Sequence, residues 1–165
     1  MHPEQFLLVL QALEHSGAVD PSALRGCSAE EIVILERTHG VCLPQTYRAF
    51  LSVMGHGGGG VFDHDHVEAD YGVAMRLTDD CRRDGSRKFR LPADAVVILD
   101  RMGDHQQFIR CNRDDDSPVW GVNVWDSEPV LAFDSVLDWL SGWGEEAQMA
   151  KAMLETMRRR RGPMY

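Results

Sequence analysis

Tyr47, Phe50, Leu51 and Met54 recur at i, i+3, i+4 and i+7, which places them on one face of a helix. Pro44 stands at or near the first position of that helix, where a missing N–H costs little, and Gly55 closes it. Upstream, Ser28 and Glu31 form a capping box. The serine side chain accepts from a first-turn N–H, and the glutamate reaches back to the cap. Ile32, Ile34 and Leu35 supply the apolar positions of this helix, and the left-handed conformation open to Gly40 ends it. A further helix is predicted over residues 3–15 from Phe6, Leu7, Leu10 and Leu13, stopping at Gly17, with a connector containing Pro21 over 18–27.

The pattern changes after Gly55. Residues 55–72 form a long loop of Gly, Asp and His, with Val61-Phe62 and Tyr71 as candidates for short strands inside it. Val73–Leu77 is predicted as a strand, and Thr78–Arg90 as an exposed polar stretch holding at most a short helical turn. Strands are predicted over 95–99, 106–111, 118–125 and 129–133, separated by turns at Asp100–Asp104, Asn112–Ser117 and Asp126-Ser127. The segment 118–125 carries apolar groups on both faces, as a central strand does. Asp134 or Ser135 caps a helix ending at Trp143. A separate last helix, 145–161, begins acidic and ends basic, which complements its dipole. Helices, then hairpin strands, then helices describe an α+β fold with an antiparallel sheet.

The stretch Ile32, Leu35-Glu36, Gly40, Leu43-Pro44, Tyr47, Phe50-Leu51 and Gly55 resembles the SUKH superfamily, which includes bacterial immunity proteins and a fungal cell-wall regulator. Leu-Pro-x-x-Tyr-x-x-Phe-Leu is its most specific piece. Pro118-Val119-Trp120 and Phe133 through Trp139-Leu140 echo it later, so the likeness spans roughly residues 24–143 and is densest in its first third. The resemblance implies a single α+β domain over 1–165, with a curved antiparallel sheet flanked by N-terminal and C-terminal helices. The helices over 3–15 and 145–161 are additions to that core.

A chain of 165 residues is long enough for one substantial core, and 44% apolar with 26% charged residues is a globular composition. Net charge is −9, although Arg158–Arg161 form a basic run. Without those four, 13 basic residues face 26 acidic ones, a balance that argues against nucleic-acid binding and favours a basic partner. Cys27, Cys42, Cys81 and Cys111 have no zinc or redox spacing, so they read as free thiols of a reducing compartment. Phe6–Leu10 is too short for a signal core or a membrane span, and the expected location is the cytoplasm.

Three constellations invite a chemical reading. His56 with Gly57–Gly60 matches the oxyanion-hole run of some esterases, but the chain has no Gly-x-Ser-x-Gly to accompany it, so loop freedom is the plainer account. The segment Asp63-His64-Asp65-His66, followed by Glu68 and Asp70, is dense in metal-ligand atoms. Together with His56 it offers two or three histidines to a divalent metal, in a metal-dependent enzyme or as a structural ion. Asp114-Asp115-Asp116 lacks the glycine and terminal glutamate of a calcium loop and reads as a polar hairpin turn or an acidic face. Of the four tryptophans, Trp143 sits between Gly142 and Gly144 and is the one expected to be partly exposed.

No segment supplies a complete catalytic site, and no metal or cofactor is expected. The resemblance implies a non-enzymatic immunity protein that binds a cognate bacterial toxin, such as a nuclease. The acidic balance makes that partner basic, and a monomer or weak homodimer without nucleic acid or membrane is expected. The contact is expected at Asp63, Asp65, Glu68, Asp70, Asp114, Asp115, Asp116 and Trp143. A metal-dependent enzyme built on His56, His64 and His66, and a regulatory scaffold without a toxin, are the alternatives.

Overall fold

The computed structural model describes residues 3–162. Helix α1 (Pro3–His15) leads through a 3-10 turn to a short strand β1 (Leu24–Arg25), then to α2 (Ala29–His39) and α3 (Gln45–Met54). The Ser28 capping box is present in full, and Gly40 ends α2 at φ 66°. Strands β2 (Gly57–Gly58) and β3 (Val67–Glu68) precede α4 (Tyr71–Arg83). Four strands follow: β4 (Ala95–Arg101), β5 (His105–Arg110), β6 (Val119–Asn123) and β7 (Val130–Phe133). The last helix, α5, runs from Val136 to Arg161.

The strands β3-β4-β5-β6-β7 form one antiparallel sheet in that order, and β1 pairs with β2 in a separate ribbon. The α+β architecture with an antiparallel sheet is therefore as expected, and β6 lies inside the sheet. Irregularities between Val97 and Leu99 and between Val119 and Trp120 interrupt the ladder. Such bulges bend a sheet locally.

Strand β4 is buried on both faces because its alternating residues enter different cores. Val96 and Ile98 join Leu35, Tyr47, Phe50, Leu51, Trp139 and Leu140 in the main core beneath the helices. Ala95 and Val97 join Val73 and Cys81 of α4, with Phe108 and Val122, in a smaller one. Phe50 anchors the main core, edge-on to Trp139 at 5.2 Å between ring centroids. Gln107 is buried between strand and helix, and its Oε1 accepts from the indole N–H of Trp139 at 2.8 Å and of Trp143 at 3.4 Å.

Three expectations need correction. The predicted strand 73–77 and the first part of the polar stretch, to Arg83, are one helix, α4, whose buried residues Val73, Ala74, Thr78 and Cys81 lie on a single face; residues 84–90 are turns and irregular backbone, as the exposed polar reading expects. The two predicted C-terminal helices are one, because Gly142 and Gly144 do not break it. A Cβ on Gly144 would lie 2.1 Å from Leu13 Cδ2, so glycine there serves the close approach of α1 to α5. The glycine run after His56 is not a free loop: Gly57 and Gly58 pair with Arg25 and Leu24.

The acidic turn 114–116 ties three elements together. Helix α3 has no side-chain cap at its N-terminus. The carbonyls of Asp114 and Asp115 accept instead from the N–H groups of Gln45 and Thr46, at 2.8 and 3.1 Å. Asp116 Oδ1 accepts from the Thr46 hydroxyl at 2.9 Å, from its neighbour Ser117 N–H at 2.7 Å and from Val136 N–H at the start of α5 at 2.9 Å. The orphan donors of two helix N-termini thus meet the oxygens of one turn.

Candidate functional site

A cleft of about 450 Å³ opens where α3 ends and α4 begins. Its floor and walls include Met54, Phe62, Val67 and Ala69, with Gly57 and Gly58 along one side. Asp70 fixes the entry of α4, its Oδ1 accepting from Val73 N–H at 3.0 Å. Tyr71 locks the same corner by donating its N–H to Gly55 O at 2.7 Å and its hydroxyl to Glu31 O at 2.8 Å. His56, Asp63, Glu68, Asp70 and Arg76 bring the charge, three carboxylates against one guanidinium. Asp63 and Glu68 are exposed, and among the described residues neither is paired with a cation.

The acidic residues expected to share one surface are divided. Asp63, Glu68 and Asp70 line the cleft. Asp65 turns to Arg101 instead, with a closest N···O distance of 2.7 Å. It and His66 both hold positive φ, at 59° and 55°, a conformation uncommon for residues with side chains. Asp114, Asp115 and Asp116 sit at the opposite end of α3, which at ten residues places them about 15 Å from the cleft end. Trp143, expected to be partly exposed, is buried at 7% because Gln107 and the main core take its ring. Trp125 is the exposed tryptophan, at 60%.

The histidines do not assemble as a metal site. His56 faces the cleft and is bonded to Glu31, His64 is tucked against the Trp143 ring at 5.7 Å between centroids, and His66 is exposed. The metal-ligand group that forms among the described residues is a different one, Cys27, Glu31 and His56, with donor atoms within 4.8 Å of one another. These atoms already have partners or protons. Glu31 accepts from Ser28 N–H at 2.8 Å and meets His56 Nε2 at 2.8 Å. The Ser28 backbone bond and then His56 hold the Glu31 carboxyl below its ordinary range, while burial pushes the Cys27 thiol up to about 11. A metal here would have to displace the Glu31–His56 bond and ionise a buried thiol, so the trio fits a helix-capping network better than a metal centre.

Arg76 and Gly72 also line the cleft, and the strand pattern of 73–77 conceals both, because only a helix turns them toward it. Asp70 three residues before Val73, and the helical spacing of Val73, Ala74, Leu77, Thr78 and Cys81, are the signals that identify α4. Among the described residues, the lining contains no serine, threonine, cysteine or lysine.

Fold and cleft together define an α+β domain with a concave acidic surface beside a capped helix pair. The chain belongs to the SMI1 / KNR4 family (SUKH-1), whose model matches residues 26–142. That span starts two residues before the Ser28 cap and ends inside α5, close to the 24–143 expected from the sequence. No curated protein matches the chain. No helix among the described residues is long and apolar enough to cross a membrane.

Proposed function

We propose that this protein is a non-enzymatic immunity protein that neutralises a cognate bacterial toxin by binding it through the acidic cleft. The observation that carries the reading is the pair of exposed carboxylates, Asp63 and Glu68, on the rim of a concave surface, neither paired with a cation among the described residues. Membership of the SUKH-1 family supports it. The partner is basic, as the active-site cleft of a nuclease is. Complementary charge speeds encounter and selects the partner, and occlusion of the toxin's own cleft blocks its activity. The four unpaired thiols fit action in the reducing cytoplasm of the toxin-producing cell.

The test uses the toxin encoded beside this gene, purified as a catalytically inactive variant. Titration should give saturable 1:1 binding by calorimetry. Replacing both Asp63→Lys and Glu68→Lys should weaken it at least tenfold, about 1.4 kcal/mol, and flatten its salt dependence. Unchanged affinity in the double variant removes the cleft from the contact. Absence of binding by the wild-type chain removes the immunity reading.

A further inference from the structure

The outer half of α5 touches little of its own protein. From Lys151 to Gly162 every residue is exposed. Among the described residues, the last ties to the body are Gln148 Nε2 to Ser16 O and Lys151 Nζ to Gly17 O, both at 2.7 Å. Beyond them about three turns of helix project outward, a length that is marginal in water by itself. Yet Met153, Leu154 and Met157 on this segment, and Met149 just before it, are 63, 55, 50 and 66% exposed.

The order of charges along the segment says what covers it. Glu146, Met149, Met153, Met157 and Arg160 are spaced by 3, 4, 4 and 3 residues. At 3.6 residues per turn they fall within an arc of about 80° on one face. The spacing is symmetric about Met153, acidic at one end and basic at the other. Lys151 and Glu155 point to the opposite side, where Lys151 holds Gly17.

We propose that two copies of this chain pair through α5 as an antiparallel, two-fold symmetric helix pair centred on Met153. In that register Met153 meets its own counterpart and Met149 meets Met157 of the second copy. Glu146 meets Arg160 of the second copy at both ends. A parallel pair would set arginine against arginine and glutamate against glutamate, so the charges select the antiparallel arrangement. Glu146 is free to take part. Its approach to His64 within its own chain is 3.9 Å, and its side chain is half exposed.

Sedimentation equilibrium of the full-length chain tests this, with loading up to about 1 mM to span weak affinities. The expected result is a monomer–dimer equilibrium. Met153→Glu and Glu146→Arg should each weaken it at least tenfold, with far-UV circular dichroism checking that both remain folded. The swap Glu146→Arg with Arg160→Glu should recover it, because both end pairs are restored in reversed sense. In a Cys42→Ser background, Met153→Cys should form a disulfide-linked dimer. Mixing Met149→Cys with Met157→Cys should cross-link faster than either alone. A monomer throughout, a Met153→Glu variant that pairs like wild type, or a charge swap that fails to recover overturns the proposal. So does a chain that remains monomeric while α5 binds anionic phosphatidylserine vesicles.

Discussion

Replacing Asp116 with alanine should destabilise the protein without touching the acidic cleft. Three donors converge on its Oδ1: the Thr46 hydroxyl, Ser117 N–H and Val136 N–H, at 2.7 to 2.9 Å. Thr46, Ser117 and Val136 are themselves buried, so water replaces the lost acceptor poorly. Loss of one N-cap interaction costs about 1 kcal/mol, and each further buried donor left unsatisfied costs roughly 1–3 kcal/mol. The three share one acceptor and are not additive, which brings the expected loss to about 3 kcal/mol. For a chain of this size that is a fall in Tm of roughly 6–12 °C. Asp116→Asn keeps an acceptor at Oδ1, but it places a donor where Oδ2 is buried without a partner among the described residues, so it should cost about 1 kcal/mol. Asp114→Asn is the control: only its backbone carbonyl caps α3, and it should stay within about 0.5 kcal/mol of wild type. Urea denaturation followed by tryptophan fluorescence measures all three. An Asp116→Ala variant as stable as Asp114→Asn refutes the account of this turn as a structural tie.

Other outcomes follow from the same structure. Gln107→Leu strands the buried indole N–H groups of Trp139 and Trp143 and should cost about 2–4 kcal/mol in the same urea assay. Ser28→Ala removes a local cap from α2 and should cost about 1 kcal/mol, measurable as a shift of the urea midpoint without a change of slope. His39 lies against Ala74 O at 2.9 Å, and burial holds its pKa below the ordinary 6.5 despite that bond. The unfolded chain therefore binds the proton first, so His39 contributes stability that is full above pH 6.5 and lost as pH falls through the folded pKa. Thermal melts of wild type and His39→Gln between pH 7.5 and 5 should show a steeper decline for wild type; parallel curves would contradict this.

Local signals carried the first third of the chain. The Ser28–Glu31 box, Gly40 and the spacing from Tyr47 to Met54 are complete within a few residues, and the structure places them as expected. The hairpins between β4 and β7 were legible for the same reason: alternation and turn residues are short-range. Helix α4 is not legible in Val73–Leu77 alone, which also satisfies a strand pattern; its signal is the capping aspartate, Asp70, three residues upstream. The two glycines of α5 look like a break in one dimension and like a packing device in three. The acidic face was least legible. Charge composition says how many carboxylates there are, but only the path of α3 puts Asp63 and Glu68 at one end and Asp114 at the other.

The tie between the 114–116 turn and α3 also bears on the order in which the chain leaves the ribosome. Helix α2 carries its cap within its own first turn, so it can close as soon as it emerges. The N-terminus of α3 must wait for a side chain 70 residues further on. Until the β5–β6 hairpin has been made, the face bearing Tyr47, Phe50 and Leu51 has neither its cap nor its sheet. During most of its synthesis the domain is therefore a candidate client for chaperones, and a translational pause placed before residue 116 would prolong that state.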